Sequence, residues 1–161
     1  MAASESGGKS SLLRDMRMAL GDLFAGGKAD PRDVVMVQVL FGLLGHLARA
    51  DGIVTSHEAE FVNALMDELT LPLKVRSEAM ASFEKGQRRQ IELAGEVQRF
   101  VETFPPGTEQ GGRLYDALLR LAVADGRVRP RERAMLQEIT IRLGFDAAVL
   151  DDRLKRLGQA V

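Results

Sequence analysis

Leu47-Ala48-Arg49-Ala50-Asp51-Gly52-Ile53-Val54, followed by Glu58, is matched further along by Leu121-Ala122-Val123-Ala124-Asp125-Gly126-Arg127-Val128, followed by Glu132. Both stretches read L-A-x-A-D-G-x-V-x-x-x-E, and the two copies stand a constant 74 residues apart. The likeness continues downstream, where Phe61, Val62, Leu65 and Leu69 align with Met135, Leu136, Ile139 and Leu143. A repeat at fixed offset marks a duplicated supersecondary unit. Its fixed element is a helix end, a glycine turn and a new helix, and it carries two carboxylates.

Outward from these corners the pattern is helical. Ser10 or Ser11 caps a first helix, with Leu12, Leu13, Met16, Leu20, Leu23 and Phe24 on one face and Gly26-Gly27 as its end. Asp30-Pro31 starts a second helix, which runs to about Ala50. Its stretch Val34 to Ala48 is apolar on most sides, as a central core helix should be. Gly42 and Gly45 within it cost about 1 kcal/mol each in propensity, which points to close helix packing. Thr55-Ser56-His57-Glu58 is a capping box for a third helix with Phe61, Val62, Leu65, Met66 and Leu69 as its stripe, broken at Leu71-Pro72.

The spacing predicts a fourth helix over 73–85 ending at Gly86, and a fifth over about 89–103. Phe104-Pro105-Pro106-Gly107 closes the fifth and is the expected hinge between halves. Helices over 110–125, 130–143 and 146–157 follow, with Gly144 as a left-handed cap. No period-2 run of useful length occurs. The expectation is an all-α bundle of seven to eight helices with an internal pseudo-repeat, made of a disordered tail over 1–9 and a single all-helical domain over 10–161.

Composition narrows the function. The chain of 161 residues is 45% hydrophobic, enough for a core, and its net charge is −1 with acids and bases intermixed. That balance lacks the basic field that nucleic-acid binding needs, and aromatic residues at 5% make base stacking a poor prospect. Cysteine is absent, which excludes disulfides and thiolate metal sites. No signal peptide pattern opens the chain. The longest apolar run, Val34 to Ala48, falls short of the roughly 20 residues a bilayer span requires. A cytoplasmic setting is expected, either free or as the cytoplasmic part of a membrane-anchored protein.

The carboxylates admit two readings. Asp51 and Asp125 stand at helix ends, where the dipole is unfavourable to them, so each needs a compensating contact. In one reading each copy is a structural corner: the Asp accepts backbone N–H groups of the next turn, and Glu58 and Glu132 sit in the first turn of the following helix. In the other the motif binds a divalent cation. D-G-x-V-x-x-x-E has the spacing of the second half of an EF-hand loop. The two earlier ligand positions would be Leu47 and Arg49, or Leu121 and Val123, which cannot ligate. Neither copy suffices alone. A pseudo-two-fold arrangement could gather Asp51, Glu58, Asp125 and Glu132 into one all-oxygen site suited to Ca²⁺ or Mg²⁺.

The doubled motif in a helical chain of this size resembles the TerB-like (tellurite-resistance B) domain and, more specifically, the central region of DjlA-type DnaJ-like co-chaperones. The residues that carry the likeness are Gly45-His46-Leu47, Leu65-Met66-Asp67-Glu68-Leu69, Phe83-Glu84-Lys85-Gly86, Ala124-Asp125-Gly126 with Glu132-Arg133-Ala134, and Leu143-Gly144-Phe145. It covers about 33–154. The resemblance implies an all-helical fold, a cation site at the motif carboxylates and a role in the stress response. Two departures are visible: the membrane segment and the J domain of DjlA-type proteins have no counterpart here. The His-Pro-Asp tripeptide of J domains is absent, since His46 precedes Leu47 and His57 precedes Glu58. A trimmed or free-standing member is expected, unable to stimulate an Hsp70 ATPase in the J-domain manner.

No catalytic set emerges. The two histidines lie at a helix end and in a cap, with no nucleophile motif beside them. Gly21 to Lys28 fails as a phosphate loop because Asp22 and Ala29 replace the glycine and the hydroxyl. His46 reads as a core or boundary residue, and the basic clusters 85–89 and 127–133 as solvated or ion-paired surface. The second cluster could pair with the motif carboxylates. Two functions follow: a non-enzymatic module for self-association (a dimer, for example) or protein partner binding within a DnaJ-type co-chaperone system, or a divalent-cation-binding tellurite or stress-resistance protein. Apolar surface on the first helix and around Gly42 and Gly45 is the basis for expecting self-association.

Overall fold

The computed structural model describes residues 31–48, 60, 62–64, 66–67, 73–123 and 128–158. The expected tail over 1–9 and the expected first helix lie outside the described residues. Six helices have both ends described: α1 (Pro31–Ala48), α2 (Leu73–Gln87), α3 (Leu93–Thr103), α4 (Glu109–Val123), α5 (Pro130–Arg142) and α6 (Val149–Arg156). Between α1 and α2, residues 60, 62–64 and 66–67 are helical too, and the described residues contain no strand. The fold is an all-helical bundle.

α1 is the centre. Pro31 opens it, where a missing N–H costs nothing. Met36, Val37, Val39, Leu40, Phe41, Leu43, Leu44 and Leu47 are each no more than 2% exposed, so the helix is covered all round. Each such side chain contributes about 1.5–3 kcal/mol of burial. Among the described helices the cover comes from α2, α3 and α4, while α5 packs on α3 and α4 and carries α6.

α2 meets α1 backbone to backbone. A Cβ added at Gly86 would overlap the carbonyl oxygen of Gly42 and come within 2.8 Å of the His46 amide nitrogen. A Cβ at Gly45 would overlap the Phe83 carbonyl oxygen and lie 3.1 Å from Gln87 N. Gly42 differs: its added Cβ would meet only Ile91 Cδ1 at 3.6 Å and Ser82 O at 3.8 Å. The small-residue face of α1 is therefore used within the chain, under α2, and is not a surface for a second copy.

This contact moves the end of α2 away from the expected place. Gly86 does not stop the helix; it lets the helix approach. α2 continues to Gln87 and closes on Arg89, whose φ is 56°. Arg89 N donates to Gly86 O at 3.1 Å and Gln90 N to Lys85 O at 2.9 Å, the paired bonds of a Schellman cap with arginine where glycine is usual. The cap uses the residues expected to open the next helix, so α3 begins at Leu93 rather than near Arg89. α6 starts late for a similar reason: Asp146 Oδ1 accepts the Ala148 N–H at 3.0 Å, which makes 146–148 a turn. Gly144 holds the expected left-handed cap of α5, with φ of 91° and Phe145 N donating to Thr140 O at 3.1 Å.

The expected hinge, 104–107, is pinned on both sides. Phe104 is buried and packs on Phe100 with centroids 5.0 Å apart. The Arg32 guanidinium of α1 lies 5.1 Å from the Phe104 ring centroid. On the other side a Cβ at Gly144 would fall 2.8 Å from Pro106 Cβ.

The repeat persists in burial. Leu40 and Leu114, Phe41 and Tyr115, Leu44 and Leu118, Val62 and Leu136, and Met66 and Thr140 are pairs 74 residues apart, and all ten residues are buried. α1 and α4 thus present equivalent faces to the core.

Candidate functional site

Of the four motif carboxylates, Asp51, Glu58 and Asp125 lie outside the described residues. Glu132 is described. Pro130 begins α5, Arg129 precedes it in extended conformation (φ −81°, ψ 159°), and Glu132 falls in the first turn. Its Oε1 accepts the Arg129 backbone N–H at 3.4 Å. The reciprocal half of a capping box is closed to Arg129, because a guanidinium has no acceptor. A negative charge here also suits the positive end of the helix dipole. Glu132 is 9% exposed, unusual for a carboxylate, so its surroundings hold it tightly. Glu132 therefore takes the first-turn place expected of it, while Asp125, the other half of the expected corner, lies outside the described residues. Among the described residues no group of three or more His, Asp or Glu side chains could hold a metal ion. The convergence of all four carboxylates falls outside the described residues.

The basic cluster beside Glu132 is partly committed elsewhere. Arg133 pairs with Asp151 of α6. Arg131 is exposed. In the other cluster Lys85, Arg88 and Arg89 are all exposed, with Arg89 forming the α2 cap.

Two polar features of the interior were not legible as such. His46 is half-buried near the end of α1, and its Nδ1 is buried without a hydrogen-bond partner among the described residues. Burial first and the Arg89 guanidinium second hold the ring below its ordinary 6.5, with Glu138 acting the other way. Tyr115 and Thr140 are both 0% exposed, and their hydroxyl oxygens are 2.7 Å apart. Thr140 donates its proton to Leu136 O at 2.6 Å, since a carbonyl can only accept. The Tyr115 hydroxyl is therefore the donor to Thr140. The 74-residue offset is the one sequence signal for this pair, since it sets Tyr115 against Phe41 and Thr140 against Met66.

An all-helical bundle whose buried positions repeat at an offset of 74 residues defines the class. A family model described as tellurite resistance protein TerB matches residues 38–153. The chain belongs to this family. It is also similar to proteins titled Co-chaperone protein DjlA. That of Shewanella oneidensis is 28% identical over 130 residues, covering 81% of this chain and 50% of the relative. That of Vibrio cholerae is 31% identical over 153 residues, covering 91% and 52%. That of Vibrio vulnificus strain YJ016 is 34% identical over 119 residues, covering 71% and 40%. The chain spans about half the length of the curated relatives it matches. No solved structure matches. Among the described residues no helix is long and apolar enough to cross a membrane.

Proposed function

We propose that this chain is a non-enzymatic protein-interaction module of a DnaJ-type co-chaperone system, working in the cytoplasm by self-association or by holding a protein partner, with a role in the stress response. The observation that supports this most is the extent of the likeness. Proteins titled co-chaperone align with up to 91% of this chain, yet the same alignment takes in only 52% of the relative. The shared region is thus one part of those proteins, and here it carries a core centred on α1. Partner surface must lie away from Gly42 and Gly45, which α2 covers. Leu73 and Ile141 are the exposed large apolar side chains among the described residues. Sedimentation equilibrium at high micromolar concentration is expected to show association. A clean monomer that also yields no crosslink to chaperone components in cells overturns the reading.

A second reading is divalent-cation binding at Asp51, Glu58, Asp125 and Glu132, in a tellurite or stress-resistance role. Supporting it are the family's description and the burial of Glu132. An all-carboxylate donor set fits Ca²⁺ or Mg²⁺. The cation would fix the two corners relative to one another, and the carboxylates' part would be to ligate and be neutralised.

A further inference from the structure

We propose that His46 makes the α1–α2 crossing sensitive to acid, so that a proton placed on its ring opens the α2 cap at Arg89. The neutral ring can leave Nδ1 as a bare lone pair, with its one proton on Nε2. Protonation turns Nδ1 into an N–H, and among the described residues no acceptor meets it. A buried donor without an acceptor is unfavourable, so something must move.

At the crossing the two backbones are in direct contact. His46 sits where α1 and α2 touch through Gly42, Gly45 and Gly86, and its own amide nitrogen would be 2.8 Å from a Cβ on Gly86. No side chain lies between the two backbones there to repack. Among the described residues the charged groups acting on the ring are Arg89, from the turn after α2, and Glu138, from α5. Glu138 is already bridged to Arg142 at 3.0 Å. A cationic His46 therefore faces a second cation in Arg89, and the anion opposite is shared. Arg89 is also the one described non-glycine residue with positive φ, at 56°. Its conformation is uncommon for a side-chain-bearing residue, which makes this cap costlier to keep closed than a glycine cap. The folded-state ring lies below its unfolded value, so its contribution to stability is complete above about pH 6.5 and is lost as pH falls through the folded value.

Amide hydrogen exchange of the whole chain, corrected for intrinsic rates, tests this. Protection of the Arg89 and Gln90 amides is expected to fall at least about threefold between about pH 7.5 and about pH 5.5. His46→Gln should flatten that response. Arg89→Gly keeps the left-handed cap while removing the cation, and should weaken it. Glu138→Gln removes the opposing anion and should steepen it. Unchanged protection in the parent protein, or a fall that survives in His46→Gln, overturns the proposal. A full response in Arg89→Gly overturns the part given to Arg89.

Discussion

The hydroxyl of Tyr115 donates to Oγ1 of Thr140 across 2.7 Å, between two residues with no solvent exposure. The two partners are not equivalent. Tyr115→Phe leaves Thr140 still bonded to Leu136 O and should cost about 1 kcal/mol. Thr140→Val leaves a buried tyrosine hydroxyl with no acceptor and should cost about 1–3 kcal/mol. Chemical denaturation of both variants checks the order; an equal cost would contradict the donor assignment.

Tyr115 is the chain's only tyrosine and tryptophan is absent, so phenolate absorbance reports it alone. Burial, the largest cause, raises its pKa above the ordinary 10, while Arg153 acts the other way. Above pH 10 the unfolded chain loses this proton and the folded chain keeps it. Stability is therefore expected to fall as pH rises through 10 toward the folded value. Phenolate should appear together with loss of helical signal; a phenolate titrating at 10 in a fully folded chain would contradict this.

The glycines of the α1–α2 crossing should respond in opposite ways. Gly45→Ala and Gly86→Ala force a methyl into backbone and should cost about 1–3 kcal/mol or more. Gly42→Ala meets only ordinary contacts, and Gly112→Ala in α4 meets nothing within 4 Å. Each of these two should be neutral or stabilise by up to about 1 kcal/mol through helix propensity. Melting temperatures of the four variants decide it.

The same crossing shows what the sequence can and cannot convey. α1 was legible because Pro31 and a long, mostly apolar run each say the same thing. The end of α2 was not, because a glycine looks alike whether it terminates a helix or admits another, and only the partner backbone tells Gly86 apart from Gly144. Arg89 in a left-handed cap carries no sequence signal, so α3 was expected four residues early. For the site, the first-turn place of Glu132 was readable from Pro130 and the motif spacing. The expected positions of Asp51, Glu58 and Asp125 lie outside the described residues. The polar pair in the core was hidden because tyrosine and threonine at buried helical spacing read as ordinary stripe residues.

Glu132 separates the two readings of the motif. Glu132→Gln keeps an oxygen for the Arg129 N–H, so the corner should hold, whereas Glu132→Ala should cost about 0.5–2 kcal/mol. If a cation is bound, Ca²⁺ or Mg²⁺ should raise the melting temperature of the parent protein by mass action. Glu132→Gln, or Asp51→Asn with Asp125→Asn, should abolish that rise. If the motif is only a corner, neither cation will shift the parent, and the Asn variants will lose little, since Asn makes the same local bonds.

A chain made of two similar halves faces a problem of self-recognition while it folds. α1 and α4 offer like faces, so each could dock on the other's partner, within one chain or between two. Phe41 and Met66 are apolar at the positions where Tyr115 and Thr140 are polar. Tyr115 set against Met66 would strand its hydroxyl, at a cost of about 1–3 kcal/mol, so the wrong pairing is penalised and the right one is not. Tyr115→Phe with Thr140→Met would erase that distinction, leaving a chain of near-native stability that exchanges halves with its neighbours.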